Sequence, residues 1–150
     1  MTTIATDGRS MAGDGLLTCH GTIHGYAFLK VRLLSDGRIM GYCGNAYALE
    51  QWVDWVEDSE GKELPAGDAD SIEFLVLDTD GTCLCYNGYG QWYPQNLPAA
   101  IGSGANFALA AMRAGADPTE AVDIAAHLCT KTGGLITTEW IPGHRPLVKT

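Results

Sequence analysis

Thr2 stands directly after Met1, and Asp14 and Lys30 follow, Lys30 sixteen positions after Asp14. If Met1 is removed, Thr2 carries a hydroxyl and a free amine on adjacent carbons, so the nucleophile brings its own general base and needs no histidine. A lysine near that amine would lower its pKa by like-charge repulsion, and a carboxylate beside the lysine would hold it charged and oriented. Thr2, Asp14 and Lys30 therefore suffice for acyl transfer, although read bare the same stretch also fits a plain β-hairpin.

Such a trio has to be held by a folded scaffold, and 150 residues make one domain large enough to bury about two-thirds of its unfolded surface. The formal net charge of −9 argues against nucleic acid and anionic membrane as partners and favours neutral or basic segments as substrate. No apolar run approaches the roughly 20 residues of a membrane span, and no signal-peptide layout opens the chain, so a cytoplasmic location is expected. The five cysteines, Cys19, Cys43, Cys83, Cys85 and Cys129, are expected to be reduced thiols. Cys19, His20 and His24 lie close together, but with Cys83 and Cys85 they fit zinc-ligand spacing poorly; no metal or other cofactor is expected.

Three Asp-Gly pairs, Asp7-Gly8, Asp36-Gly37 and Asp80-Gly81, sit between apolar or β-branched runs. Asp-Gly suits a type I′ hairpin turn, which predicts strands 3–6 with 9–13, 28–34 with 38–43, and 72–77 with 82–86. Residues 91–93 and 135–141 read as two more strands. Leu49, Trp52, Val53 and Val56 recur at helical spacing with Asn45 placed as a cap, while Trp55 falls off that stripe and suits a partner-facing position. A second helix opens at Ser103 or Gly104 and stops at Gly115. The third starts on Asp117, Pro118 and Glu120, carries Val122, Ala125, Ala126 and Cys129 on its apolar face, and ends at Gly133-Gly134. Hairpins with helices grouped between them predict an α+β protein.

Four blocks in order, Thr2-Thr3-Ile4, Ala12-Gly13-Asp14-Gly15 with Lys30-Val31-Arg32, Ala100-Ile101-Gly102-Ser103-Gly104, and Leu128 to Gly133, resemble the proteasome β-subunit family, in particular its bacterial HslV branch. The resemblance implies the αββα sandwich of N-terminal-nucleophile hydrolases, two antiparallel sheets between helix layers. HslV-like chains carry a second long helix where this one has only Gly61 to Ser71, so one helix of the usual set is expected to be missing, and with it the usual ring stacking or ring size.

Carried over residue by residue, the resemblance makes Thr2 the nucleophile, with Asp14 and Lys30 as its electrostatic support and Ser103 holding the terminal amine and a water. It makes the Gly44 N–H the oxyanion donor, a contribution worth about 3 to 4 kcal/mol in comparable sites. Thr18 pairs by its backbone with an extended substrate, and Leu17, Phe28, Tyr42 and Ala46 shape an apolar pocket for the side chain before the cut. Cys129 stands where proteasome subunits carry aspartate, as in HslV-like chains, and is expected to be buried on the third helix rather than reactive. The implied function is a threonine-type endopeptidase without cofactor, a homo-oligomeric ring fed unfolded protein by an ATP-dependent unfoldase; the compact chain suggests a phage-type member. A silent scaffold that never exposes Thr2, and an amidase acting on a small metabolite, are the rival readings.

Overall fold

A computed structural model describes residues 2–58, 64–65, 71–89 and 91–146. The first Asp-Gly turn joins β1 (Thr3–Thr6) to β2 (Ser10–Gly13). Next come a small hairpin, β3 (Leu17–Cys19) with β4 (Thr22–Gly25), and then β5 (Val31–Leu33) and β6 (Ile39–Cys43). A 3₁₀ turn (Ala46–Ala48) leads into α1 (Leu49–Glu57). The chain continues through β7 (Glu73–Leu77), β8 (Cys83–Asn87), β9 (Trp92–Gln95) and β10 (Ala99–Gly102). It closes with α2 (Ala105–Arg113), α3 (Pro118–Leu128) and β11 (Thr137–Trp140).

The strands form two antiparallel sheets, ordered β10-β1-β2-β11 and β5-β6-β7-β8-β9, with β3-β4 apart from both. Alternation along the strands sorts side chains into three apolar layers, as a period of two requires. Ile4 and Met11 meet Ile39, Leu75, Leu77, Cys83 and Cys85 between the sheets. Ala5 and Ala12 turn the other way, onto Ala108 of α2 and Ala121, Val122 and Ala125 of α3. On the far side Met40, Tyr42, Phe74 and Val76 pack against Leu49, Trp52, Val53 and Val56 of α1. Helices, sheet, sheet, helix is the four-layer sandwich the resemblance implied. The expected loss of a helix between Gly61 and Ser71 lies outside the described residues.

Local chemistry explains most element ends. The capping box holds: Asp117 accepts from the Glu120 N–H, and the Glu120 side chain accepts from the Asp117 N–H. After α2, the Gly115 N–H donates to Met112 O and the Ala116 N–H to Ala111 O around a glycine at φ +114°, a Schellman ending. Asn45 caps the 3₁₀ turn rather than α1 itself, accepting from the Tyr47 N–H at 2.9 Å.

Several expectations are corrected. The Asp-Gly turns are not type I′, because each aspartate keeps negative φ and only the glycine is left-handed. At Gly37 and Gly81 the turn closes three residues, the glycine N–H donating to Leu34 O and to Asp78 O, each at 3.0 Å. A type I turn followed by a left-handed glycine suits that loop length. The type I′ turn belongs to His20-Gly21, at φ 51° and 77° between paired Cys19 and Thr22. That hairpin was not expected, and neither was β10. The second hairpin strand begins at Val31 rather than 28. Trp55 packs at 5.0 Å on Tyr86 and 6.2 Å on Trp92, so it completes an aromatic cluster instead of facing outward. The third helix stops at Leu128, leaving Cys129 as its half-exposed cap.

Gly41 sits where the sheets approach most closely: a Cβ there would run into Ile4 Cγ2 and stand 2.6 Å from Met11 Sδ. Gly41→Ala is expected to cost about 1 to 3 kcal/mol by overpacking, read as a lowered urea midpoint. Gly25→Ala, whose Cβ would meet only Leu17 Cβ at 3.9 Å, should leave stability unchanged or raise it by under about 1 kcal/mol.

Candidate active site

The end of β2 delivers Asp14 into the interior, where it is 1 % exposed. Four donors converge on its carboxylate. Oδ1 accepts from Lys30 Nζ and from the Thr3 N–H, each at 3.0 Å. Oδ2 accepts from the Gly133 N–H at 3.1 Å and from the Leu16 N–H at 3.4 Å. One oxygen thus ties the lysine to the peptide unit that follows Thr2. Lys30 is itself buried, at 5 % exposure. Burial lowers its pKa from lysine's ordinary 10.5, and the Asp14 charge and hydrogen bond oppose that shift without cancelling it.

Thr2 is buried beside β10. The backbone passes so near that a Cβ on Gly102 would overlap Thr2 O, and Gly102 takes φ +97°. Ser103 Oγ donates to Thr2 O at 3.3 Å, and the Cys129 thiol donates to Ser103 Oγ at 3.6 Å. Thr3 Oγ1 and Thr132 Oγ1 share a hydrogen bond of 2.7 Å under Gly104. The Ser103 side chain makes no cap of α2; Gly104 stands at that position.

A cavity of about 600 Å³ opens over these residues. Thr2 and Lys30 line it together with Leu17, Thr18, Phe28, Tyr42, Gly44 and Ala46. The structure therefore brings together every residue expected to bind substrate and three of the five expected to act in catalysis, with Asp14 and Ser103 hydrogen-bonded to their lining partners. Gly44 is held at φ +153°, where a Cβ would crowd Ser71 O and the Tyr42 hydroxyl. Its N–H donates to no acceptor among the described residues. The Tyr42 hydroxyl donates to Asn45 O at 2.9 Å, and burial pushes its pKa up to about 12. No strand among the described residues pairs with the second edge of β3, which carries Thr18.

Sequence reasoning missed several participants. Leu16, Cys19, His20, His24, Asn45 and Tyr47 also line the cavity, and Cys43 lies next to Lys30 with its thiol pushed up to about 12, mainly by burial. Cys129 differs from its expected buried place: it is partly exposed, and although burial raises its pKa, hydrogen bonding with Thr132, Lys131 and Ser103 lowers it on balance. The described residues contain no group of three or more side chains that could hold a metal ion, and no helix among them is long and apolar enough to cross a membrane.

The ATP-dependent protease subunit HslV of Pseudothermotoga lettingae is 31% identical to this chain over an alignment 173 residues long, gaps included, spanning 92% of the chain and 94% of that protein. HslV of Desulfovibrio desulfuricans is 32% identical over 166 residues, spanning 87% and 89%. Among solved structures, eukaryotic HslV from Trypanosoma brucei superposes with a TM-score of 0.72 at 20% identity, covering 92% of this chain and 97% of that one. The Thiobacillus denitrificans protein BPH in complex with epoxomicin gives 0.69 at 17% identity, covering 94% and 99%. No family model matches the chain.

Removing either half of the Asp14–Lys30 pair leaves a buried charge uncompensated, a loss of about 3 to 5 kcal/mol. Asp14→Asn should cost more than Lys30→Met, since its amide would turn a donor toward one of the backbone N–H groups now served, and the double variant should cost less than the sum. With the folded-state pKa of Lys30 below 10.5, the unfolded chain binds more protons between the two values, so this lysine adds stability as pH rises through that window. The difference between wild-type and Lys30→Met urea-midpoint curves across alkaline pH should show that rise.

Proposed function

This chain belongs to the HslV family of protease subunits, and from that premise we propose that it is a threonine-type endopeptidase whose nucleophile is Thr2, set free by removal of Met1. The observation that carries the reading is the placing of Thr2 and Lys30 in one cavity, with Lys30 bound to a buried Asp14 at 3.0 Å. In the reaction, the Thr2 α-amine takes the proton of Oγ1 as that oxygen attacks the substrate carbonyl. Lys30 keeps the amine deprotonated by its charge, and Asp14 fixes the lysine. The oxyanion that forms meets the Gly44 N–H. As the tetrahedral intermediate collapses, the C–N bond breaks and the α-ammonium returns its proton to the departing amine. Water then attacks the Thr2 ester, giving a proton to the same amine; the acyl C–O bond breaks, the α-ammonium returns that proton to Thr2 Oγ1, and the acid leaves.

The substrate enters as an extended strand along the open edge of β3, its backbone pairing with Thr18 and an apolar side chain resting among Leu17, Phe28, Tyr42 and Ala46. We further propose that the active form is a ring of identical subunits that receives unfolded protein from an ATP-dependent partner. Support comes from Phe107, Ile124, Leu128 and Leu135, large apolar residues 41 to 61% exposed on and beside the α2–α3 layer, as association surfaces are.

Thr2→Ala should abolish peptide cleavage while leaving the thermal transition in place. The wild-type chain should show an intact mass lacking one methionine and should gain one adduct with a peptidyl epoxyketone; Thr2→Ala should gain none. Full activity in Thr2→Ala would remove the catalytic assignment. Light scattering should give a mass several times that of one chain, and a stable monomer would remove the ring.

A further inference from the structure

The cavity differs in charge from the chain that builds it. The sequence carries 18 acidic against 9 basic residues, yet among the described residues no Asp or Glu lines the cleft. The ionisable side chains that do are Lys30, whose charge Asp14 answers, with Cys19, His20, His24, Tyr42 and Tyr47. His20 and His24 are exposed and both belong to the β3–β4 hairpin. His20 occupies a left-handed position, φ 51°, in the two-residue turn, a conformation that histidine adopts several times more readily than most residues. The type I′ geometry fixes that turn and so fixes where the imidazole starts. Imidazole donates at least one N–H in either protonation state.

Resting on the peptidase reading of the same cleft, we infer that His20 and His24 form an acid-selecting rim, so that the enzyme prefers extended peptides carrying Asp or Glu a few residues before the apolar side chain at the cut. A carboxylate approaching along β3 leaves a surface that repels it and enters a cleft whose described lining has no acidic group, where two imidazoles can donate to it. Such a peptide would rest its apolar group among Phe28, Tyr42 and Ala46 and bring its acid to the hairpin tip.

The test uses fluorogenic peptides with one apolar residue at the cut and Glu, Gln or Lys placed in turn at each of the three preceding positions, at one pH and ionic strength. At one position Glu should exceed Gln in kcat/KM by about five- to tenfold, the size of one charge-assisted hydrogen bond, with Lys poorest. His20→Gly with His24→Val, which keeps the turn and strand conformations but removes both donors, should bring the Glu-to-Gln ratio to one. Epoxyketone labelling of Thr2 in the same variant reports that the site is intact. His24→Glu should reverse the order in favour of Lys. A wild-type enzyme that treats Glu and Gln alike at every position, or a double variant that keeps the wild-type ratio, overturns the inference. If no peptide is cut and Thr2 is never labelled, the peptidase reading has failed instead. Anisotropy of labelled Glu and Gln peptides with the Thr2→Ala chain then decides the rim by itself, and equal affinities overturn it.

Discussion

The Asp14 carboxylate is the interaction on which the rest of the site depends. Burying an ion costs several kcal/mol that only close pairing and filled lone pairs recover, and Asp14 meets both conditions with one lysine and three backbone N–H groups. Those donors come from the start of β1, the segment after β2, the strand entry at Lys30, and the loop after α3. A single side chain thereby fixes the relative position of four pieces of chain, the farthest of them 119 residues from Asp14 itself. It also bears on the charge of Lys30. Desolvation lowers the lysine's pKa, and the Asp14 charge and hydrogen bond oppose that shift.

Glycines supply the second constraint, because the beginning of the chain has to lie against β10 without side chains between. Gly102 and Gly104 occupy the two positions where a Cβ would collide with Thr2 O and Thr3 Oγ1. Ser103, between them, is left free to reach Thr2 O. The pattern Gly-Ser-Gly is thus a packing requirement first, and the serine's polar contact follows from it. Gly41 does the same between the sheets, letting β6 approach Ile4 and Met11. The site sits where both close approaches meet.

Elements whose formation is local were legible in the sequence. Asp117, Pro118 and Glu120 encode the start of α3 in four residues, and Trp52 with its helical neighbours shows the buried face of α1 directly. Failures arose where the deciding contact is distant. β10 holds four residues whose strand character comes from pairing with β1, and nothing in Ala99–Gly102 marks it. The β3–β4 hairpin has no buried strand residue, so the apolar alternation that reveals a half-buried strand is missing. Asp-Gly gave the right turns and the wrong type, since loop length, set by strand register, selects among turns that share a left-handed glycine. At the site, Thr2, Asp14 and Lys30 were readable by resemblance. The donor role of the Gly133 N–H and the exposure of Cys129 depend on where α3 stops, which its apolar pattern, continuing to Cys129, does not mark.

The substrate preference drawn from net charge and the one drawn from the cleft's lining point in opposite directions. A charge of −9 belongs to the whole surface, and it governs solubility and long-range approach. Recognition belongs to the groups within hydrogen-bond reach, and the cleft draws its lining from residues 16–30 and 42–47 with Thr2, two stretches that hold one cation, two imidazoles and no carboxylate apart from that lining's own partner, Asp14, just outside it. Counting charges over the chain predicts neutral or basic substrates, whereas counting them over the lining favours an acidic one. The two counts disagree because the fold assigns its carboxylates to turns, caps and helix surfaces: Asp7, Asp36, Asp78 and Asp80 each accept from backbone N–H groups in a hairpin loop, and Asp117 caps a helix. Acidic residues consumed in building turns charge the exterior without charging the cleft.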